Sequence, residues 1–223
     1  MAGNSVDEYA NMTVAECLKL VEEDPWALDE IPDHCKTVEV CEMAVSKNPR
    51  VFECVPEESQ TDEMFYSMVY KEGCLLAQIP EDDRTKKLCL TAVANDPAAI
   101  EFVPEELINT KMCYKAVKAD GRLVEHIPNS LLSKKMRVEA INQNVDAFRY
   151  LQNHKITMDL CILACSKDGY YLKYTPEKFK TYELCVLALE TSSDAIAQCV
   201  PKEHLERFKQ TRLYQNIQYL GYA

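Results

Sequence analysis

The sequence predicts an all-α solenoid of about eight helical-hairpin repeats closed by a C-terminal capping helix, and three observations carry that expectation. Pro32, Pro56, Pro80, Pro104 and Pro128 each stand 24 residues after the last, and the series resumes at Pro176 and, one residue late, at Pro201. Cys17, Cys41, Cys89, Cys113, Cys161 and Cys185 share one phase of the same period, with Phe65 and Arg137 in the two slots between them. Four residues before that phase stand Thr13, Thr37, Thr61, Thr85, Asn109, Ser133, Thr157 and Thr181. A fixed period of this length is the mark of stacked units, none of which can bury its apolar face alone.

Each element of the repeat follows from residue chemistry. Thr, Ser and Asn are N-cap residues, because a short side-chain oxygen accepts from a first-turn amide that has no partner inside the helix. Counting from the cap, apolar residues recur at +3, +4, +7 and +8, as in Leu88, Cys89, Ala92 and Val93, one face of a 3.6-residue period. Position +7 is mostly alanine, which predicts close approach of a neighbour. Pairs such as Asn48-Pro49, Asp96-Pro97, Asp120-Gly121 and Asp168-Gly169 then stop the helix, where φ is expected to be fixed or turned positive. A shorter apolar segment follows, and the proline turn closes it. Residues 1–12 read as a polar N-terminal cap or tail, 13–205 as the repeats, and 206–223 as the capping helix, with Leu205, Phe208, Leu213, Ile217 and Leu220 at helical spacings. The sixth repeat is irregular: Arg137 replaces cysteine, Asn144-Val145 replaces the usual stop, and Gln152 replaces proline. A local bend or loosened stack is expected there.

Composition narrows the function classes. The chain has 223 residues, 47% of them apolar, and a net charge of −11, which argues against a general phosphate-backbone binder. No apolar run approaches the roughly 20 residues of a membrane span, and the first residues lack the basic and apolar regions of a secretory signal. The eleven cysteines are odd in number and contain no C-x-x-C pair, which fits a reduced, cytoplasmic setting. Six of them are one structural position copied through the stack.

The strings TKKLCLTAVANDPAAIEFVPEEL (85–107) and TYELCVLALETSSDAIAQCVPKEHL (181–205) resemble a family of short helical repeats of unassigned activity, and the resemblance covers 13–205. Such repeats are common in proteins that Legionella-type bacteria inject into host cells and in proteins of giant DNA viruses. The resemblance implies a scaffold in the host cytosol, an effector or viral host-interaction factor, and brings no catalytic motif with it.

A search for chemistry finds little that converges. Gly73, Gly121 and Gly169 sit on the helix-stop slot and form no phosphate loop, and the His34-Cys35 pair with Cys41 is the nearest approach to a metal cluster. No metal and no cofactor are expected. The carboxylates of Glu57-Glu58, Glu81-Asp82-Asp83 and Glu105-Glu106 recur in the same turn of successive repeats, as solvated turn residues do. For a thiol enzyme the off-phase Cys54, Cys74 and Cys199 are better candidates than the six in phase, whose burial would hold them protonated.

Function is therefore expected on the variable surface, as protein–protein interaction. Residues 1–83 carry a net charge of −15, 84–155 of +4 and 156–223 of zero, and Glu39 and Glu63 mark the acidic region as a candidate partner face. Phe102, His126, Tyr150 and Tyr174 stand two residues before the proline slot and form either a binding lane or packing between short segments. Lys87, Lys111, Lys115, Lys118 and Lys135 make up a candidate basic patch for an acidic protein face or, weakly, a phosphoinositide head group. Alternatives are an enzyme built on an off-phase cysteine or on the irregular sixth repeat, and a structural arm of a larger assembly.

Overall fold

The structure is a computed structural model that describes residues 9, 11–152, 155–192 and 199–208. It is all-helical, with no strand among the described residues. Eight α-helices of ten residues each start 24 residues apart, the irregular repeat included: α1 (Val14–Glu23), α2 (Val38–Lys47), α3 (Asp62–Lys71), α4 (Lys86–Asn95), α5 (Thr110–Ala119), α6 (Lys134–Gln143), then α8 (Met158–Lys167) and α9 (Tyr182–Thr191). Between α6 and α8 lies the short α7 (Ala147–Tyr150), and α10 (Lys202–Phe208) follows α9. The chain divides into two compact units, Met1–Met112 and Cys113–Ala223, each a run of stacked repeats of the solenoid type.

The caps form as the sequence requires. Thr13, Thr37, Thr61, Thr85, Ser133 and Thr181 each accept the amide three residues on, and Asn109 accepts from both Lys111 and Met112. Thr13 and Glu16 complete a reciprocal capping box, so the first helix spends its +3 slot on a carboxylate. Thr157 is the exception: its hydroxyl is buried and has no partner among the described residues, and the same holds for Nε of Arg137.

The +3, +4, +7, +8 face is the core. Val40, Cys41, Ala44 and Val45 are fully buried in α2, as are Leu160, Cys161, Ala164 and Cys165 in α8. All six in-phase cysteines have no exposed surface, so a small thiol fills one slot wherever it recurs.

At position +11 the backbone is extended, with φ between −128° and −155° throughout. The side chains of Asp24, Asn48, Asp96, Asp120, Asn144 and Asp168 there accept the amide two residues on, so one residue ends the α-helix and starts the next segment. That segment is a six-residue 3-10 helix in Pro49–Cys54, Gly73–Gln78, Pro97–Phe102, Gly121–His126 and Gly169–Tyr174. Pro32, Pro56, Pro80, Pro104 and Pro176 each lead into a single 3-10 turn with φ near the value their rings fix.

The glycines on the stop slot are there for a different reason from the one the turn chemistry suggests. None has a positive φ; a Cβ on Gly73, Gly121 or Gly169 would instead collide with the carbonyl oxygen of Ala92, Ala140 or Ala188, the +7 alanine of the next repeat. The small residues at the two positions are two sides of one close approach.

A second tie between repeats comes from position +10. Lys71 donates to the carbonyls of Ser46 and Lys47, and Asn95 to that of Val69 at 3.3 Å. In the second unit Gln143 donates to the Ala119 carbonyl at 2.9 Å and accepts from the Gly121 amide, Lys167 reaches Asn142, and Thr191 donates to Cys165 at 2.7 Å. Each side chain satisfies last-turn carbonyls of the preceding helix that have no partner within that helix.

The sixth repeat departs from the others in its short segment. Its short segment begins at Ala147, two residues later than the others, and is an α-helical turn. At the ends, residues 1–8, 10 and 209–223 lie outside the described residues, and with them most of the N-terminal segment and Leu213, Ile217 and Leu220. Phe208, at the end of α10, is fully buried and stacks on Tyr182 with ring centroids 4.8 Å apart.

The two kinds of cap residue predict opposite responses. Thr85→Ala should lower the unfolding free energy by ~1 kcal/mol through the lost cap. Thr157→Val should leave stability unchanged or raise it, since the hydroxyl it removes is buried without a partner. Urea titrations of the two variants beside the parent check both.

Candidate functional surfaces

The candidate residues resolve into an exposed position that recurs within each unit, two grooves and a set of thiols. Position +2 lies on the outer side of every repeat helix and is exposed in all of them: Ala15, Glu39, Glu63, Lys87, Lys111, Lys135, Asp159 and Glu183. Glu39 and Glu63, and Lys87, Lys111 and Lys135, are thus the same structural position with different charge. Lys87 lies over the Tyr66 ring, 4.7 Å from its centroid. Lys115 and Lys118 are exposed on α5 at other positions. Lys87 and Lys111 belong to the first unit and Lys115, Lys118 and Lys135 to the second, so each unit carries its own share of these cations.

In the first unit, a groove of about 510 Å³ lies at the third repeat. Glu57, Asp62 and Asp83 line it with Gln60 and Gln78, over the edge of Phe65, and the described lining contains no cation. The sequence placed Glu57 among solvated turn residues; the hairpin brings it and Gln78 to one concavity.

The residues two before the proline slot prove to be the last of each short segment, and their exposure differs. Phe102 and His126 are half-buried, and the carbonyl of Phe102 accepts from the Arg84 guanidinium at 2.8 Å. Tyr150 is 37% exposed, while Tyr174 is half-buried within a ring cluster with Tyr170 and Tyr171. The lane therefore contains both packing and surface residues.

In the second unit a larger groove of about 720 Å³ lies between the short segments of the sixth and seventh repeats. Phe148, Leu151 and Tyr174 supply its apolar surface, and Arg149, Lys173, Lys178 and Lys180 supply cations. Tyr171 is buried and donates to Asp146 at 2.6 Å, which holds its hydroxyl protonated well above the usual phenol range. Asp146 also faces the Arg149 guanidinium at 3.6 Å, and that guanidinium lies 5.3 Å from the Tyr174 ring centroid. Lys180 is nearly buried and paired with Glu177 at 2.6 Å. Sequence reading missed these four cations, because none shares a repeat position that stood out; the irregular sixth repeat was the available signal.

Most of the thiols are held protonated. Burial raises the Cys41, Cys89, Cys161 and Cys185 thiols to about 11 and Cys165 to about 12. Among the off-phase cysteines, burial and nearby Asp29 and Glu53 push Cys54 up, and burial together with a 3.0 Å hydrogen bond to Asp96 raises Cys74 to about 12. A thiol nucleophile requires the opposite environment. Cys199 is half-buried. His34 bonds the Met12 carbonyl at 3.3 Å, as does the Cys35 thiol, and no group of metal-ligating side chains forms among the described residues. No helix is long and apolar enough to cross a membrane among the described residues.

Compared with family models, with curated proteins and with solved structures, the chain gives no match. The surfaces above therefore speak for themselves.

The thiols set an alkaline limit. Their ordinary value is 9.0 and their folded values are higher, so above pH 9 the unfolded chain loses protons that the folded chain keeps. Stability should be level from pH 6 to about 8 as far as these thiols contribute, and fall as pH passes about 9, as followed by helical circular dichroism in urea at each pH. Asp96→Asn keeps a cap oxygen for the Ala98 amide but removes the charge beside Cys74, so alkylation of Cys74 at pH 8 should quicken.

Proposed function

We propose that the chain is a non-enzymatic protein-interaction scaffold that binds a partner protein along the outer face of its repeats. One observation carries this reading: position +2 is exposed in every repeat while its chemistry changes sign, whereas the buried positions keep the same residue types. A fixed frame with a variable lane is how stacked repeats encode recognition. In the first unit the lane offers Glu39 and Glu63, and the cation-free groove lined by Glu57, Asp62 and Asp83 lies beside α3. Such a field attracts and orients a basic segment of the partner more than it adds raw affinity.

The likeness of the repeats to those of injected bacterial effectors and giant-virus proteins makes the host cytosol the setting in this reading, and a host protein the partner. The raised pKa values of Cys54 and Cys74 weigh against a cysteine-based enzyme.

A fluorescent lysine-rich peptide serves as the probe. Glu39→Lys with Glu63→Lys should weaken its binding about tenfold or more at low salt, and the parent's affinity should fall steeply as salt rises, since exposed charges are screened over a Debye length of roughly 8–10 Å. Equal weakening by Glu105→Lys with Glu106→Lys, which lie in a later turn of the same unit, would remove the case for this face.

A further inference from the structure

From the groove between the sixth and seventh repeats we infer a binding site for a compact polyanion, a small ring carrying clustered phosphate groups, whether free in solution or as a lipid head group. The inference rests on a different unit and different residues from the partner face above. It starts from where the repeat breaks its own rule. The six other described short segments start directly after the +11 residue; here the four-residue segment starts at Ala147, and Gln152 replaces the proline that would close the turn. Departures from an otherwise consistent local pattern concentrate at functional sites.

The groove that lies beside this break has the size of a small-molecule site, about 720 Å³. Its cations come from two successive repeats. Arg149 projects from α7, Lys173 from the 3-10 helix of the next repeat, and Lys178 from the turn after Pro176. Lys173 and Lys178 have no carboxylate within ion-pair distance among the described residues, and each lies over an aromatic ring, Lys173 5.9 Å from the Tyr174 centroid and Lys178 4.8 Å from that of Phe179. Arg149 has only the long contact to Asp146. The lining carboxylate, Glu177, is engaged by Lys180. Three cations thus face one concavity with their charge uncompensated by short ion pairs.

Their arrangement selects the ligand. A carboxylate carries one charge and is matched by one cation, whereas a phosphate carries up to two and accepts several charge-assisted hydrogen bonds. Arginine supplies a planar fork and lysine a point charge, the pair of donors that phosphate groups use. Converging cations over a floor of Phe148, Leu151 and Tyr174 suit a compact ring better than an extended acidic strand, which would need them in a row.

The test titrates the full chain with inositol hexakisphosphate by calorimetry, and sediments it with phosphatidylcholine vesicles with or without phosphatidylinositol bisphosphate. Lys173→Gln combined with Lys178→Gln should weaken binding about tenfold or more, and Arg149→Lys should weaken it measurably because the fork is lost. Both lysines are exposed, and an unchanged thermal transition verifies the fold. Lys134→Gln, which removes a cation paired with Asp159 elsewhere in the same unit, should change nothing. Binding in the vesicle arm assigns the ligand to a lipid, and binding of the soluble ring alone assigns it to a free polyphosphate; either outcome supports the site. Absence of binding in both arms, or equal loss with Lys134→Gln, overturns it.

Discussion

Three junctions between repeats depend on one close approach: the start of the short segment against the carbonyl of the +7 alanine in the next repeat's helix. At Gly73, Gly121 and Gly169 no room remains for a Cβ, and the facing residues are alanines. Once two backbones come this near, the rest of the repeat is constrained. The +4 slot sits inside the stack and is filled by cysteine in six repeats, and the Asx side chain at +11, where it occurs, turns the chain without a loop. The interior has no space for a longer connection, since close-packed cores tolerate neither voids nor excess volume.

The donors at +10 add a second tie, at the three glycine junctions and at two others. Bringing the next helix close places its last turn beside the exposed carbonyls of the helix before, and Lys71, Asn95, Gln143, Lys167 and Thr191 all reach them. Stability is thus spread over nearest-neighbour interfaces made of an apolar face and, where they occur, a close contact or a polar tie. Sequence spacing did not reveal the ties, because the residues share only the capacity to donate a hydrogen bond. No type-based pattern links Lys, Asn, Gln and Thr.

What was legible follows from that distinction. The caps, the apolar face, the buried thiols and the proline turns could be read directly because each demands a narrow set of residue types at a fixed position. The stop-slot glycines were visible as a pattern but misread in cause: φ is extended and the requirement is steric, imposed by a residue 19 positions away. The candidate surfaces were legible only in part. Glu39, Glu63 and three of the lysines share the exposed +2 position, but the groove cations Arg149, Lys173, Lys178 and Lys180 come together through the hairpin geometry. Convergence of this kind leaves no periodic trace.

The irregular sixth repeat shows how such a scaffold gains a local groove while its long helix keeps its contacts to the repeat before. Ala140 still faces Gly121, and Gln143 still ties α6 to the repeat before it, so the long helix keeps its place. The departure is confined to the short segment, which starts late and becomes α-helical. There Tyr171, a residue of the next repeat, donates to Asp146, and Phe148 meets the Tyr171 ring edge-on at 6.3 Å. Polar and aromatic contacts thus join the two repeats where the regular proline turn is missing. A long helix held by its own cap, face and donor leaves the short segment free to vary, and the variation appears as a groove on the surface while the core keeps its period.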